Sequence, residues 1–193
     1  MVRLIISLLS AAIAAILSAR LCIKRWGGSP AKVSILSAAL ALIVATLSFL
    51  LHGFGESFRA IFIFSLCFYA SYGDIKTHEA DDWIHFLLLI TALIGKPLAQ
   101  IPMSLVAALV TAGIMTLITM FVPGSGIGGA DIKFTAAGAF LTTFEGSLWG
   151  LGLGSFVALL FNSPFRKKKE GAMQGIPMLP YLSCSYILVY MLS

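Results

Sequence analysis

An all-α bundle of about eight membrane-crossing helices is the architecture predicted for this chain of 193 residues. Three observations predict it. Hydrophobic residues make up 59% of the sequence and charged residues only 11%, against roughly 45–50% apolar in a soluble domain, and the mean hydropathy is +0.99. Apolar runs recur at the length that crosses hydrocarbon, about 20 residues. Lys and Arg gather in alternate connections between those runs, as they do in polytopic membrane proteins. One membrane-embedded domain, residues 1–193, is expected.

The runs follow in order. Val2 to Ile23, Val33 to Leu51 and Met103 to Val122 are of full spanning length. The first resembles a signal-peptide core, but it is too long, lacks a strongly basic start and leads into further spans, so it reads as a retained span. Phe58 to Tyr72 is short, and Trp83 to Ile101 carries Lys96 and Pro97 near its end. A further run starts at Asp131, breaks at Glu145-Gly146 and resumes to Phe161, and Met178 to Leu192 closes the chain. The run from Asp131 is short for a crossing, which leaves six or seven spans as the alternative count.

Eight alternating spans put Arg20, Lys24, Arg25, Lys32, Lys76, Lys133 and the block Arg166-Lys167-Lys168-Lys169 on one side, and Arg3, Arg59 and Lys96 on the other. The richer side is expected in the cytoplasm of a cell membrane. Asp74 and Asp131 fall on that side. The net charge of +5 does not point to nucleic acid, because four of the basic residues form one block between apolar runs, as in a cytoplasmic loop. Such a block also suits anionic lipid headgroups. Cys22, Cys67 and Cys184 lie far apart in apolar surroundings, with no disulfide or zinc spacing.

The chemistry is carried by carboxylates. "FVPGSGIGGADIKF", Phe121 to Phe134, brings Asp131 through Gly124, Gly126, Gly128 and Gly129 to the start of an apolar run. Glycines allow close approach of main chain or substrate, and an acid in a first helical turn is favoured there. The "GSGIGG" pattern is not read as a dinucleotide site, since an apolar span precedes it where a strand is required. In "SYGDIKTHEADDW", Ser71 to Trp83, the candidates to partner Asp131 are Asp74, Glu79, Asp81 and Asp82. Asp81 and Asp82 precede an apolar run and suit helix capping, with Trp83 as an interfacial anchor. Asp74 has no such role. Two carboxylates held close share a proton near neutrality; one then activates water while the other protonates a carbonyl oxygen, with no metal and no cofactor. His52, His78 and His85 form no HExxH or His/Cys cluster; His78 could tune the pair but reads first as an exposed loop histidine, and His85 is expected to find a local partner. No GxSxG elbow is present.

With these residues in hand, the sequence resembles the type IV prepilin peptidase family of GxGD membrane aspartic proteases, which includes the preflagellin peptidases. Asp74-Ile75-Lys76 is similar to the family's first aspartate turn, Gly128-Gly129-Ala130-Asp131-Ile132-Lys133-Phe134 to its second, and Gly175 to Leu182, "GIPMLPYL", to a motif before its last span. Asp81 stands where the family has proline, Ala130 where it has glycine, and Met178-Leu179-Pro180 where it has "FGP". The resemblance implies that Asp74 and Asp131 are catalytic and that Gly128, Gly129, Ala130, Lys76 and Lys133 contact substrate. It implies an aspartic endopeptidase that removes a short basic leader from pilin-like or preflagellin-like membrane precursors at the cytoplasmic face. The cysteine-bearing N-terminal domain of the larger bifunctional members is missing from the sequence, so N-methyltransferase activity is not expected. Two other functions compete: a presenilin-like protease cutting within a substrate helix, and a non-enzymatic transporter or secretion subunit using the acids for ions or protons.

Overall fold

A computed structural model describes residues 1–121, 127–162 and 177–193. Among the described residues eight α-helices follow one another: α1 (Val2–Trp26), α2 (Pro30–His52), α3 (Phe54–Thr77), α4 (Asp82–Leu93), α5 (Ile101–Phe121), α6 (Gly129–Ala139), α7 (Phe144–Asn162) and α8 (Leu179–Leu192). No strand occurs among the described residues. Five helices, α1, α2, α3, α5 with the turn before it, and α7, are long and apolar enough to cross a membrane. Their outward side chains are largely bare Leu, Ile and Phe, the surface a lipid solvent stabilises. This is a multi-pass membrane bundle.

Helix ends fall where the backbone loses regular hydrogen bonding. Gly27, Gly53 and Gly95, all with positive φ, stop α1, α2 and the stretch after α4. Pro30 occupies the first turn of α2, where its missing N–H costs nothing. Two expected boundaries move. The run Trp83 to Ile101 is not one segment: α4 stops at Leu93, Gly95 and Pro97 turn the chain, and Ile101 already belongs to α5. The break expected at Glu145-Gly146 lies earlier, between Ala139 and Phe144, because the Thr143 hydroxyl accepts the Gly146 N–H at 3.1 Å and caps α7. Glu145 then sits in a first turn, where its charge is favoured. The block 166–169 lies outside the described residues.

α1, α2 and α3 pack mutually, and α3 also meets α4 and α8. Small residues let α1 and α2 approach closely: Ala11, Ala15, Ala19, Ala41 and Ala45 are fully buried, and the Ser37 hydroxyl donates across the interface to the Ala15 carbonyl at 3.2 Å. Such contacts replace the hydrophobic drive that lipid removes. In the second half α6 lies against α5, with Ala107 and Ala108 buried on Ala139. Those two alanines therefore serve helix packing.

Three helices are short. At 1.5 Å per residue, α4, α6 and α8, with 12, 11 and 14 residues, reach only about 16–21 Å, against roughly 30 Å of hydrocarbon. Their C-terminal ends gather at one end of the bundle, and those of α4 and α6 are met by cations, as the helix dipole favours. The Arg59 guanidinium donates to the carbonyls of Thr91 and Ala92 at the end of α4 (3.2 and 2.8 Å). The Lys96 ammonium donates to the Phe140 and Thr142 carbonyls just beyond α6. The last turn of α8 reaches the same end, where Tyr190 donates to Glu56 at 2.7 Å and the Met191 carbonyl lies 2.9 Å from His52 Nε2. Aligned there, the short helices fall short at the other end. Their N-termini are left recessed between longer neighbours.

Candidate active site

The recess is built by three helix starts and one helix end. Asp74 lies inside the last turn of α3, which runs on to Thr77 before His78 closes it in a left-handed conformation with φ 57°. The sequence placed Asp74 beyond a short span; the helix instead continues through it and carries its carboxyl inward, 7% exposed. There Oδ2 accepts the Leu179 N–H at 2.9 Å. Leu179 is the first residue of α8 and Pro180 the second, so Asp74 takes an orphan donor of a helix that starts more than a hundred residues later. This contact explains the "MLPYL" motif: Leu179 supplies the N–H, and Pro180 has none that needs a partner. Gly175 and Ile176 lie outside the described residues.

Asp131 comes from the first turn of α6 and is 5% exposed. Its Oδ2 reaches back to accept the Gly128 N–H at 2.8 Å, one half of a capping box. The two acids thus use one device, a carboxylate at a helix N-terminus, locally for Asp131 and across the fold for Asp74. They are near enough that the negative charge of Asp74 is felt at Asp131. Burial first of all raises the Asp131 carboxyl to about 7; the Gly128 hydrogen bond opposes this, and the charge of Asp74 adds to it. His78 is an electrostatic neighbour of Asp74 and is exposed, as expected of a loop histidine.

The remaining candidates occupy the rim. Gly128 and Gly129 have no positive φ, so backbone freedom does not explain them. Gly129 instead faces open space, with nothing within 4 Å of where a Cβ would stand. Ala130 fits the same helical turn that the family's glycine would occupy. Gly124 and Gly126 lie outside the described residues. Lys133 is ion-paired to Asp82 at 2.7 Å with both side chains solvent-facing, and Lys76 lies over the Tyr72 ring at 5.8 Å.

Asp81 and Asp82 stand at the N-cap and first position of α4, yet neither caps it by its side chain. Asp81 accepts from Tyr69 at 3.3 Å and faces Arg25 at 3.8 Å, while Asp82 tethers α4 to α6 through Lys133. Both carboxylates are engaged elsewhere and Glu79 is exposed, whereas Asp74 is buried and its charge is felt at Asp131. Among the described residues no three His, Cys, Asp or Glu side chains gather as a metal site would require. Of the cysteines, Cys22 and Cys67 are buried and Cys184 is exposed.

Sequence reasoning missed two groups here. The Leu179 N–H is a main-chain donor, invisible in side-chain patterns. His85, expected to find a local partner, is 6% exposed and makes no hydrogen bond through either ring nitrogen.

No curated protein and no solved structure matches the chain. The sequence model of the type IV leader peptidase family matches residues 61–163, a stretch that contains both aspartates and all of α4, α5 and α6. With more than half of its length so matched, a stretch that holds both buried acids of a membrane bundle, the chain belongs to the type IV leader peptidase family.

Proposed function

We propose that the chain is an aspartic endopeptidase that removes the short basic leader of a pilin-like membrane precursor at the cytoplasmic face, with Asp74 and Asp131 as its catalytic pair. The observation that carries this reading is the placement of two buried carboxylates, each on a helix N-terminal N–H at the starts of α6 and α8, with the charge of Asp74 felt at Asp131. Asp131, raised to about 7 by burial, is suited to hold the shared proton and give it to the scissile carbonyl oxygen. Asp74 is suited to take a proton from the attacking water. The O–H bond of water breaks towards Asp74 as the C–O bond forms; the resulting diol returns a hydroxyl proton to Asp131 as the C–N bond breaks, and the leaving amine takes the proton held by Asp74, so no covalent enzyme intermediate is needed.

The recess suits the substrate as well. A precursor helix lying in the bilayer would present its leader junction just where α4, α6 and α8 stop, and open space over Gly129 would let the extended peptide approach. Arg20, Lys24, Arg25, Lys32, Lys76 and Lys133 all belong to the helix ends at this side, whereas Arg59 and Lys96 lie at the opposite one. This distribution supports a cytoplasmic site.

The test is cleavage of a co-expressed pilin-like precursor, with the new N-terminus sequenced. Wild type is expected to release the leader before the hydrophobic helix, and Asp74→Asn and Asp131→Asn to accumulate in the membrane without cutting. Cleavage by Asp74→Asn at the wild-type rate would remove it from the pair. A cut inside the substrate helix would favour the presenilin-like mode instead.

A further inference from the structure

We propose that the apolar groove between α2, α3 and α8 is the docking site for the hydrophobic helix of the precursor, which lies there parallel to α8 with its N-terminal end at Asp74. This deepens, and rests on, the reading of the chain as a leader peptidase with Asp74 in its catalytic pair. α2 and α8 both pack on α3 but scarcely touch each other. The gap between them is a groove of about 200 Å³, walled by Leu36 and Leu40 of α2 and by Pro180 and Ile187 of α8, with the face of α3 from Phe64 to Ile75 between them. Leu36, Leu40, Ile75 and Cys184 are exposed. The groove therefore opens sideways, the direction from which a membrane helix arrives.

Continuity with the site favours the precursor over loose acyl chains. Ile75 follows Asp74, and Pro180 follows Leu179, the residue whose N–H the Asp74 carboxyl accepts, so the groove ends at that hydrogen bond. A cut just before a hydrophobic helix puts the start of that helix beside the catalytic carboxyl, and the helix then runs on into the groove. The floor also suits a helix. Cys67, Ser71, Ser183 and Cys184 are small, and small residues let helix backbones approach closely in lipid. The Ser71 hydroxyl donates to Ser183 at 3.0 Å and that of Tyr72 to the Gly27 carbonyl at 2.6 Å, so an apolar guest strands neither donor. From Phe64 to Ile75 the groove runs about 16 Å, room for about three turns of guest helix. A second apolar groove, of about 280 Å³ between α1, α3 and α4, ends at Tyr69 and Trp83, and none of its lining residues is a chain neighbour of Asp74 or Asp131.

Crosslinking tests the contact without requiring a cut. In the full chain carrying Asp131→Asn, Cys22→Ala and Cys67→Ala, Cys184 is the one cysteine left, about 7.5 Å along α8 from Leu179. Single cysteines are moved through the first two turns of the hydrophobic helix of a co-expressed pilin-like precursor, on the mature side of the cut, and the membranes are oxidised. A disulfide needs Cα atoms within about 7 Å. Its yield is expected to peak at about the fifth residue after the cut and to fall on the opposite face of the guest helix. An enzyme with Cys184→Ser and Leu17→Cys, in the second groove, is expected to crosslink no more than Cys184 does with an unrelated single-span helix. A stronger crosslink from Leu17→Cys would overturn the proposal, and so would a Cys184 yield no higher with the precursor than with the unrelated helix, which would leave the groove to lipid.

Kinetics give a second readout. Leu40→Trp and Cys184→Trp fill the groove from opposite walls, and each is expected to raise KM for the precursor about tenfold with kcat within about twofold of wild type, the mark of lost binding. Leu17→Trp is expected to change neither. Wild-type KM in both groove variants would overturn the docking site. The two readings fail separately. If Asp131→Asn cuts like wild type, the catalytic pair falls while the crosslink still reports the docking; if wild type cuts and the crosslink is missing, the groove alone falls.

Discussion

Asp74 and Asp131 are buried carboxylates of similar exposure that reached the site by different routes, and the difference is testable residue by residue. Leu179 gives Asp74 a main-chain donor. Leu179→Ala loses packing but keeps the N–H, so cleavage per folded molecule is expected to stay within about tenfold of wild type. A loss as deep as that of Asp74→Asn would mean that the Leu179 side chain, and not its main-chain donor, serves Asp74. For Asp131 the prediction concerns pH. An open-chain Asp ionises near about 3.9, whereas burial raises the folded-state value to about 7. A raised value means that the contribution to stability is fully present below the unfolded value and is lost as pH rises through the folded one. Wild type should therefore lose thermal stability relative to Asp131→Asn between about pH 4 and 7, read as unfolding midpoints in detergent. Midpoints that run parallel over that range would mean that Asp131 ionises as it does in the open chain.

At the scale of the helices, the pattern is one of deliberate shortness. α4, α6 and α8 are anchored at their C-termini by Arg59, Lys96 and the Tyr190–Glu56 pair, so their N-termini stop within the depth of the bundle. Lys96 spends its ammonium on the Ser104 hydroxyl and the Phe140 and Thr142 carbonyls. Replacing it with methionine keeps much of the stem's packing but strands those acceptors, at a cost of about 2 kcal/mol. Lys96→Met is expected to lower the unfolding midpoint while leaving kcat per folded molecule near wild type, because the site lies at the other end. A fall in kcat without a fall in midpoint would tie Lys96 to the chemistry instead. Tyr186 links the layers: fully buried, it stands edge-on to Phe134 of α6 at 6.4 Å and donates to the Ser147 carbonyl of α7 at 3.3 Å. It thereby holds α8, and with it the donor to Asp74, against the helix that carries Asp131.

For the whole molecule the outstanding property is its orientation in the membrane. On a cysteine-free background, single cysteines at Lys76, beside the recess, and at Leu98, in the turn before α5, probe opposite ends; both sites are exposed. With the recess in the cytoplasm, an impermeant maleimide added to intact cells is expected to label the Leu98→Cys protein and to reach the Lys76→Cys protein only after the membrane is opened. The reverse pattern would place the aspartates outside the cell and rule out leader removal at the cytoplasmic face.

Composition alone determined that this chain is a membrane bundle, because no packed soluble core accounts for so much apolar surface; the eight apolar segments correspond to eight helices among the described residues, five of them long enough to cross. The motifs around Asp74 and Asp131 were also legible, since each acid sits beside its own local signature. Tertiary structure decided the rest. Whether Asp74, Asp81 or Asp82 turns towards Asp131 depends on the helical phase of α3 and on the ion pairs with Arg25 and Lys133 that hold the other two at the rim. The donor at Leu179 and the unpartnered ring of His85 were hidden for a related reason. A main-chain N–H has no side-chain signature, and a histidine's partners are set by the helices packed against it.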